Sequence, residues 1–282
     1  MTDATNSLSL SQFKPQMPGK IDTSRPHSAR VYDYWLGGRD NYEADRVHAE
    51  QLLKLAPDLK RSAQDNRAFL GRAVRYLVAQ GVTQFIDIGT GIPTQGNTHE
   101  VAQAADPAAK VVYVDNDPIV LNHARALLTS SPEGRTAYVH ADLREPKTIL
   151  NHPDVREIID FGQPVGIMLV AVLMFIHDAD QPAEVLKQLT DAVPAGSHLV
   201  ISHVTHDFIP PELARATLDQ HARTAFPLTQ RTRAQITRFF EGWQLVGPGL
   251  TRVFDWHPEG SADMSTPSHE RAWVYAGVGR KS

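Results

Sequence analysis

Short apolar runs alternate with stretches of helical periodicity along most of this 282-residue chain. The runs predict buried strands, because strands that are covered on both faces lack the alternation of half-exposed ones. Between the runs, apolar residues recur every three or four positions, as where Leu70, Val74 and Leu77 share one face of a helix that ends before Gly81. This order of elements predicts an α/β fold with a doubly wound parallel sheet.

The same pattern sets the expected boundaries of the elements. Strands are expected at 85–88, 111–115, 136–140, 165–174 and 197–204, and helices at 99–105, 153–161 and 182–193. Another helix is expected after Asp117 and Pro118, with Val120, Ala124, Leu127 and Leu128 facing inward. Two closing strands, at 244–256 and 271–278, bring the predicted sheet to seven strands.

The chain is expected to divide into three segments. Residues 1–24 are rich in Ser, Gln, Pro and Lys, which predicts a flexible tail. Residues 25–80 are predicted to form a flap and helices that cover a binding site. Residues 81–282 are predicted to form the sheet domain, in one structural unit with 25–80.

Glycines and acidic residues follow the first two predicted strands. Gly89 and Gly91, with Thr90 between them, form a turn whose bare backbone lets a ligand approach closely. Asp87 lies on the strand before this turn, and Asp115 ends the next strand. Because the carboxyl ends of neighbouring parallel strands meet at one edge, the turn and Asp115 are expected to lie side by side and to hold a ribose-bearing ligand.

The glycine turn departs from the fingerprint of dinucleotide-binding proteins. Thr94 stands where that fingerprint has its third glycine, so the turn suits a ligand without a diphosphate. Asp87 is expected either to help hold a cationic ligand or to fix the turn by accepting backbone N–H bonds. An ordinary tight turn is the alternative interpretation of the two glycines.

A third acidic residue follows the next predicted strand. Asp142 is suited to accept a hydrogen bond from an exocyclic amine, and Leu143 is suited to pack on an aromatic ring. The D-x-G-x-G turn, the acidic end of the second strand and the A-D-L after the third resemble the class I S-adenosylmethionine-dependent methyltransferases. The resemblance implies a Rossmann-like fold with an antiparallel insertion at the sheet edge, and S-adenosylmethionine as the cofactor.

In that family the glycine turn lies against the methionine part of the cofactor, the second acidic residue holds the ribose and the third touches adenine. The residues expected to bind the cofactor are Arg30, Asn41, Asn66, Arg67, Asp87, Gly89, Thr90, Gly91, Asp115, Asn116, Asp142, Leu143 and Val170.

Longer motifs narrow the resemblance. Residues 28–42 (SARVYDYWLGGRDNY), 65–70 (DNRAFL) and 232–243 (TRAQITRFFEGW) are similar to an actinobacterial family of S-adenosylmethionine methyltransferases whose substrates are largely unassigned. The similarity covers about residues 25–279. It implies a fold and a cofactor without implying an acceptor.

Topology alone places Arg67. The helix before the first strand delivers its C-terminus to the start of that strand, so its N-terminal end lies toward the carboxyl ends of the strands. Arg67 lies at that end, at the edge of the core-facing stripe, where a guanidinium needs an anion. We expect it to pair with the carboxylate of the cofactor, with Asn66 as a second donor. The alternatives are that it extends to solvent or pairs with Asp87.

Residues 30–42 interleave aromatic and polar side chains, with Gly37 and Gly38 as a hinge or tight turn in the middle. A flap that closes over the ligand is expected, with Arg30, Asp40 and Asn41 facing it. A purely structural cover of the sheet edge is the alternative. Exclusion of water suits methyl transfer, an in-line displacement that depends on alignment of the nucleophile with the methyl group.

A general base is needed only if the acceptor must lose a proton. The candidate catalytic residues are Tyr32, His177 and His203, because the flap and the ends of the fourth and fifth strands face the expected site. His203 and His206 with His177 also form a possible metal site, but no helical ligand spacing supports it, and no metal is expected.

The composition limits which binding partners and which cellular compartment are expected. The net charge of −4 and the pI near 6.3 argue against sequence-independent nucleic-acid binding. The absence of cysteine excludes disulfides, a thiolate nucleophile and zinc–thiolate sites. The first residues lack the apolar segment of a signal peptide, and the longest apolar run, 165–176, is too short to span a membrane. A cytoplasmic enzyme that acts on a small molecule, without nucleic-acid or membrane partners, is expected.

Three functions remain to be compared. The chain is interpreted as a methyltransferase, and the alternatives are a protein that binds S-adenosylmethionine without transferring its methyl group and, less favoured, an NAD(P)-dependent oxidoreductase. Thr94 and Asp87 argue against the oxidoreductase, and they do not separate the first two functions.

Overall fold

The computed structural model describes residues 22–117, 119–120, 130–224, 226–257 and 273–282. Within these ranges one eight-stranded sheet is formed by β1 (Gln84–Ile88), β2 (Lys110–Asp115), β3 (Arg135–His140), β4 (Gly166–Val170), β5 (His198–Val204), β6 (Trp243–Leu245), β7 (Thr251–Arg252) and β8 (Val274–Lys281). The spatial order is β3-β2-β1-β4-β5-β8-β6, and β7 pairs with β8. Strands β1 to β5 are parallel, whereas β8 runs antiparallel to its three neighbours.

The helices of the described residues lie before and between the strands. They are α1 (Ser28–Leu36), α2 (Glu43–Leu55), α3 (Leu59–Ala79), α4 (Thr98–Ala105), α5 (Pro146–Leu150), α6 (Pro153–Ile158), α7 (Pro182–Asp191), α8 (Pro211–His221) and α9 (Arg233–Thr237). Short 3₁₀ turns lie at Leu173–Phe175, Asp178–Asp180 and Arg238–Phe240. In the part of the chain that the structure describes, no helix has the length and hydropathy needed to cross a membrane.

The two faces of the sheet carry separate apolar clusters. Ile86 and Ile88 of β1 point into one cluster, and Phe85 points into the other, which is covered by α3. Leu70, Val74 and Leu77 of α3 are at most 4% exposed, as their spacing predicted. The strand order reverses between β1 and β4, so the carboxyl ends of these strands border the crevice where open α/β sheets bind ligands.

Three sequence predictions about the sheet are wrong in detail. The apolar run after 165 is not one strand to 174, because β4 ends at Val170 and Ala171 has a positive φ of 57°. The predicted strand at 244–256 is split into β6 and β7, since a turn closed by the Gly249 N–H on the Val246 carbonyl separates them. The antiparallel insertion lies between β5 and β6 and is not an edge strand.

Two predictions fall largely on residues that the structure does not describe. The tail expected at 1–24 lies outside the described residues up to position 21, and the helix expected after Asp117 lies outside them at 118 and 121–129. Ile119 and Val120 are described and are both buried. The division of the chain at residues 24 and 80 stays a prediction.

Candidate functional site

The glycine turn follows β1 as expected. Gly89 has a φ of 71°, and a Cβ built there would lie 2.3 Å from Cγ2 of Val172. Gly91 has a φ of 66°, and its N–H donates to Oδ2 of Asp115 across 2.9 Å. The predicted contact between the glycine turn and the acidic end of β2 is therefore confirmed.

A second carboxylate extends this edge. Oδ1 of Asp115 accepts from the N–H of Asp117, and Oδ1 of Asp117 accepts from the N–H of Ile119, both at 2.9 Å. Both carboxylates are less than 9% exposed, and burial raises the pKa of Asp115. We call Asp87, Asp115 and Asp117, with the glycine turn, the acidic rim. The sequence did not single out Asp117 as a site residue, because its spacing also fits a helix cap.

Asp87 lies inside the rim and ties β1 to α4. Its Oδ2 accepts from the hydroxyl of Thr98, the first residue of α4, across 2.6 Å. Burial raises the pKa of this carboxyl to about 6, against the lowering effects of the Thr98 hydrogen bond and the Arg67 charge. This contact fixes the helix that follows the glycine turn.

Arg67 reaches the loop between the glycine turn and α4. Its Nη2 donates to Oδ1 of Asn97 across 2.8 Å, and Nε and Nη2 share the carbonyl of Gln95 at 3.3 Å. The helix begins at Leu59, so Arg67 lies in the middle of α3 and not in its first turn. The side chain is half-buried and donates to two neutral oxygens. The sequence did not predict these two acceptors.

Asn66 joins α3 to α1. Its Nδ2 donates to the hydroxyl of Tyr32 across 2.9 Å, and that hydroxyl donates to the Ala63 carbonyl across 3.0 Å. Among the described residues, Oδ1 of Asn66 is buried without a hydrogen-bond partner. The Nδ2 group that the sequence predicted as a ligand donor is thus bonded to Tyr32, and the contact of Asn66 with the cofactor stays a prediction. Burial also raises the pKa of Tyr32.

The helices α1 and α2 form a roof that touches the acidic rim. Nδ1 of His27, the residue before α1, lies 3.1 Å from Oδ2 of Asp117, without the alignment of a hydrogen bond. Arg30 pairs with Asp45 of α2 across 2.9 Å, with both side chains at most 3% exposed. The roof is therefore held by a buried ion pair, and His27 brings the start of α1 against Asp117, two residues past the end of β2.

The other polar residues expected to face the ligand from the flap hold its own shape. Nδ2 of Asn41 donates to Oδ2 of Asp33 across 2.8 Å, and the backbone N–H of Asp40 donates to the same carboxylate across 3.0 Å. Nη2 of Arg30 donates to the Arg25 carbonyl across 2.6 Å. The cofactor contacts of Arg30 and Asn41 stay predictions, and these bonds give both side chains a role in the shape of the roof.

The outer end of the edge carries Asp142. Arg144 donates to both of its carboxylate oxygens, at 2.9 and 2.6 Å, and Nδ2 of Asn116 adds a bond of 3.2 Å. These donors lower the pKa of Asp142 to about 2. Leu143 is 5% exposed and packs in the core, while Val170 is half-buried at the end of β4.

The two candidate histidines differ in their surroundings. Nδ1 of His177 lies 2.8 Å from the hydroxyl of Thr229. His203 is buried, donates from Nδ1 to the Val204 carbonyl across 2.7 Å and accepts at Nε2 from Arg231 across 2.8 Å. Burial lowers the pKa of His203 to about 4. Among the described residues, no three His, Asp or Glu side chains are placed to hold a metal ion.

Arg231 is a buried clamp on the segment after β4. Its guanidinium is 2% exposed and donates to the carbonyls of Leu173 and Ile176, at 3.0 and 2.8 Å. It also donates to Oδ1 of Asp178 across 2.7 Å. Arg231 was not among the residues predicted for the site, because nothing in the polar run around it separates it from the neighbouring Arg233.

Known proteins resemble this chain over most of its length. Residues 14–282 match the model of a family described as S-adenosyl methyltransferase. A crystal structure of a DUF574 family protein from Streptomyces avermitilis is 41% identical over 93% of this chain and 100% of its own, with a TM-score of 0.90. A protein from Thermobifida fusca, described as a candidate methyltransferase, is 41% identical over 95% of this chain and 100% of its own, with a TM-score of 0.86.

More distant similarity concerns the fold alone. The plantazolicin methyltransferase BpumL, solved in complex with S-adenosylhomocysteine, is 13% identical over 90% of this chain and 95% of its own, with a TM-score of 0.50. A comparison with curated proteins gave no match. The match over residues 14–282 and the two relatives at 41% identity show that this chain belongs to the S-adenosyl methyltransferase family, whose cofactor is S-adenosylmethionine.

Proposed function

We propose that this enzyme transfers the methyl group of S-adenosylmethionine in line to a small-molecule acceptor that is held between the roof and the carboxyl ends of the strands. The observation that carries the proposal is the burial of the acidic rim next to α1. His27, just before α1, contacts Asp117 after β2, and Tyr32 of α1 is bonded to Asn66 of α3. A covered site of this kind admits a small molecule more readily than a polymer. The net charge of −4 also gives no support to a nucleic-acid acceptor.

The residues at the rim fit the cofactor. A Cβ built on Gly91 meets no atom within 4 Å, so the turn leaves space for a ligand next to Asp115. The unpartnered Oδ1 of Asn66 suits an ammonium group, which is a donor, and Arg67 suits the carboxylate of the same amino acid. We assign the ribose hydroxyls to Asp115 and the adenine end to Asp142, Leu143, Asn116 and Val170.

The cofactor supplies an electrophilic methyl group on a positively charged sulfur. The contribution of the chain is to bind, orient and exclude water, because alignment supplies most of the acceleration of such a displacement. The buried carboxylates of the acidic rim favour a positive charge in the site. No covalent contribution from the protein is required.

Among the candidate bases, the arrangement favours His177. The hydroxyl of Tyr32 is committed to Ala63, and burial raises its pKa, so it keeps its proton at neutral pH. Both ring nitrogens of His203 are engaged, and its Nε2 lone pair faces Arg231. We propose that His177 accepts the proton when the acceptor has one to lose.

Arg67→Ala is expected to weaken binding of S-adenosylhomocysteine by roughly 1.5–3 kcal/mol, about 10-fold to 150-fold in Kd, because it removes a charge-assisted hydrogen bond to the ligand carboxylate. Isothermal titration calorimetry measures the change. Arg156→Ala, on α6 far from the rim, is the matched control and should bind as the unchanged protein does. Unchanged affinity of a well-folded Arg67→Ala variant would remove this residue from the site.

Binding of S-adenosylmethionine is expected to weaken as the pH falls through 6. A bound cation stabilises the charged form of Asp87, so binding lowers the raised pKa of this group and releases a proton when the free carboxyl is protonated. The affinity should fall by at most about tenfold per pH unit between about pH 6 and pH 5. Calorimetry in buffers of different ionisation enthalpy measures the released protons, and Asp87→Asn should reduce this release.

The acceptor class is tested with cofactor that carries an isotopic label in its methyl group. The enzyme is incubated with actinobacterial cell extract, which is then separated by size, and we expect the label in the small-molecule fraction. Label found only in protein or nucleic acid contradicts the proposal. Tight binding of S-adenosylhomocysteine together with no labelled product in any fraction would favour a sensor.

A further inference from the structure

Three imidazoles and two phenyl rings come together beside the acidic rim. We call them the imidazole cluster: His27 before α1, His48 on α2, His221 at the end of α8, Phe226, and Phe175 after β4. The rings of His48 and His221 lie 5.6 Å apart, and each meets the ring of Phe226 edge-on, at 5.6 and 5.9 Å. Phe226 also lies 6.4 Å from the rings of His27 and Phe175.

Three ring nitrogens in this cluster have no hydrogen-bond partner among the described residues, and one of them, Nδ1 of His27, lies 3.1 Å from Oδ2 of Asp117 without hydrogen-bond alignment. Nε2 of His48 and Nδ1 of His221 are buried and make no hydrogen bond to any described residue. The two residues are only 5% and 9% exposed. Buried polar atoms are nearly always hydrogen-bonded in folded proteins. Two neighbouring ring nitrogens without a hydrogen bond therefore indicate a missing partner. The phenyl ring between them carries no polar atom that meets this need.

The cluster is continuous with the methyltransferase site. His27 reaches Asp117 of the acidic rim, and Phe175 belongs to the segment after β4 that also carries His177. Nε2 of Gln220 on α8 donates to Oε1 of Gln51 on α2 across 2.6 Å, which joins the two helices that carry His221 and His48. A molecule in this cluster would therefore lie between the cofactor edge and the roof.

We propose that the imidazole cluster binds the acceptor and that it takes a neutral aromatic molecule carrying a hydroxyl group. This inference rests on the proposed function. The position of Phe226 shows that imidazole edges accept an aromatic ring here. A hydroxyl both donates and accepts, so it satisfies His48 and His221 in either tautomer.

The charges around the cluster exclude an anionic acceptor. None of its five side chains is Lys or Arg. The nearest carboxylate on α2 is Asp45, which pairs with Arg30, and Asp117 faces His27. Burial lowers the pKa of both His48 and His221, the latter to about 4, so they stay neutral near pH 7 and offer no positive charge to a carboxylate or phosphate.

The test uses phenol as the probe, with toluene and benzoate as matched ligands that lack the hydroxyl or add a negative charge. Saturation-transfer NMR on the full chain with bound S-adenosylhomocysteine measures binding, and side-chain ¹H–¹⁵N spectra report the imidazole nitrogens. Phenol is expected to bind at least about fivefold more tightly than toluene and to shift two histidine ring nitrogens. Toluene binding as tightly as phenol, or no shift of histidine nitrogens, overturns the proposal.

Variants locate the effect. His48→Leu and His221→Leu should abolish the preference for phenol over toluene, whereas His48→Gln and His221→Asn, which keep a polar atom near the lost nitrogen, should retain part of it. His152→Asn, at the start of α6, which packs on β2 and β3, is the control and should change nothing. Retention of the full preference in both leucine variants refutes the subsite. If the unchanged protein does not bind S-adenosylhomocysteine, the proposed function is refuted instead. Failure of the subsite and failure of the proposed function are therefore distinguishable.

Discussion

Arg231→Met is expected to destabilise the protein by roughly 3–5 kcal/mol. Methionine has a similar length, but it leaves the carbonyl of Ile176 and Nε2 of His203 buried without donors, and it leaves the carbonyl of Leu173 with the Ile176 N–H alone. Each orphaned acceptor costs about 1–3 kcal/mol, and these costs overlap because the groups share one pocket. Urea denaturation followed by circular dichroism measures the loss in the free energy of unfolding.

The control for this substitution is Arg238→Met, at an exposed position in the same part of the chain, which should change the free energy of unfolding by less than about 0.5 kcal/mol. Arg231→Lys keeps the charge with fewer and differently directed donors, so it should fall between the two. A loss of less than about 1 kcal/mol for Arg231→Met would mean that the clamp is not what holds the segment after β4.

Gly89→Ala is expected to destabilise the protein by roughly 2–4 kcal/mol, because two separate costs add. The new methyl group would lie 2.3 Å from Cγ2 of Val172, and the φ of 71° is unfavourable for any residue with a Cβ. Gly91→Ala carries only the conformational cost, about 1–2 kcal/mol, because its φ is 66° and no atom lies within 4 Å. Thermal and urea denaturation of the two variants separates the costs.

The same pair of variants separates folding from binding. Gly91→Ala should raise the Kd for S-adenosylmethionine by more than tenfold even though the fold survives, because the methyl group takes space beside Asp115. In Gly89→Ala, adding Val172→Ala should recover part of the lost stability, since it removes the atom that clashes. Equal stability of the two glycine variants would show that contact with Val172 does not matter.

Apart from Asp117, the acidic rim was predictable from the sequence because it depends on local rules. Apolar runs fix the strands, parallel strands present their carboxyl ends at one edge, and so Gly91 and Asp115 had to meet. Arg67 was placed near that edge by the same topology. Its bonds to Gln95 and Asn97 confirm the location, although the helix begins earlier than expected.

Features that depend on distant parts of the chain were not predictable. The run after residue 165 looks like a single long strand, because the segment past β4 leaves the sheet and is still buried. Its carbonyls are satisfied by Arg231, which lies more than 50 residues away. Likewise, the meeting of His48 and His221 depends on how α2 packs against α8, which no local periodicity encodes.

The bidentate bond between Arg144 and Asp142 has a consequence for how a ligand is oriented. At the outer end of the edge the negative charge of Asp142 is matched by a guanidinium. Deeper inside, Asp87 and Asp115 have hydroxyl and backbone donors, and no described residue gives them a bonded cation. The electrostatic potential therefore becomes more negative toward the interior. We therefore expect a nucleoside with a cationic tail to enter tail first and to bind with its uncharged base near the opening.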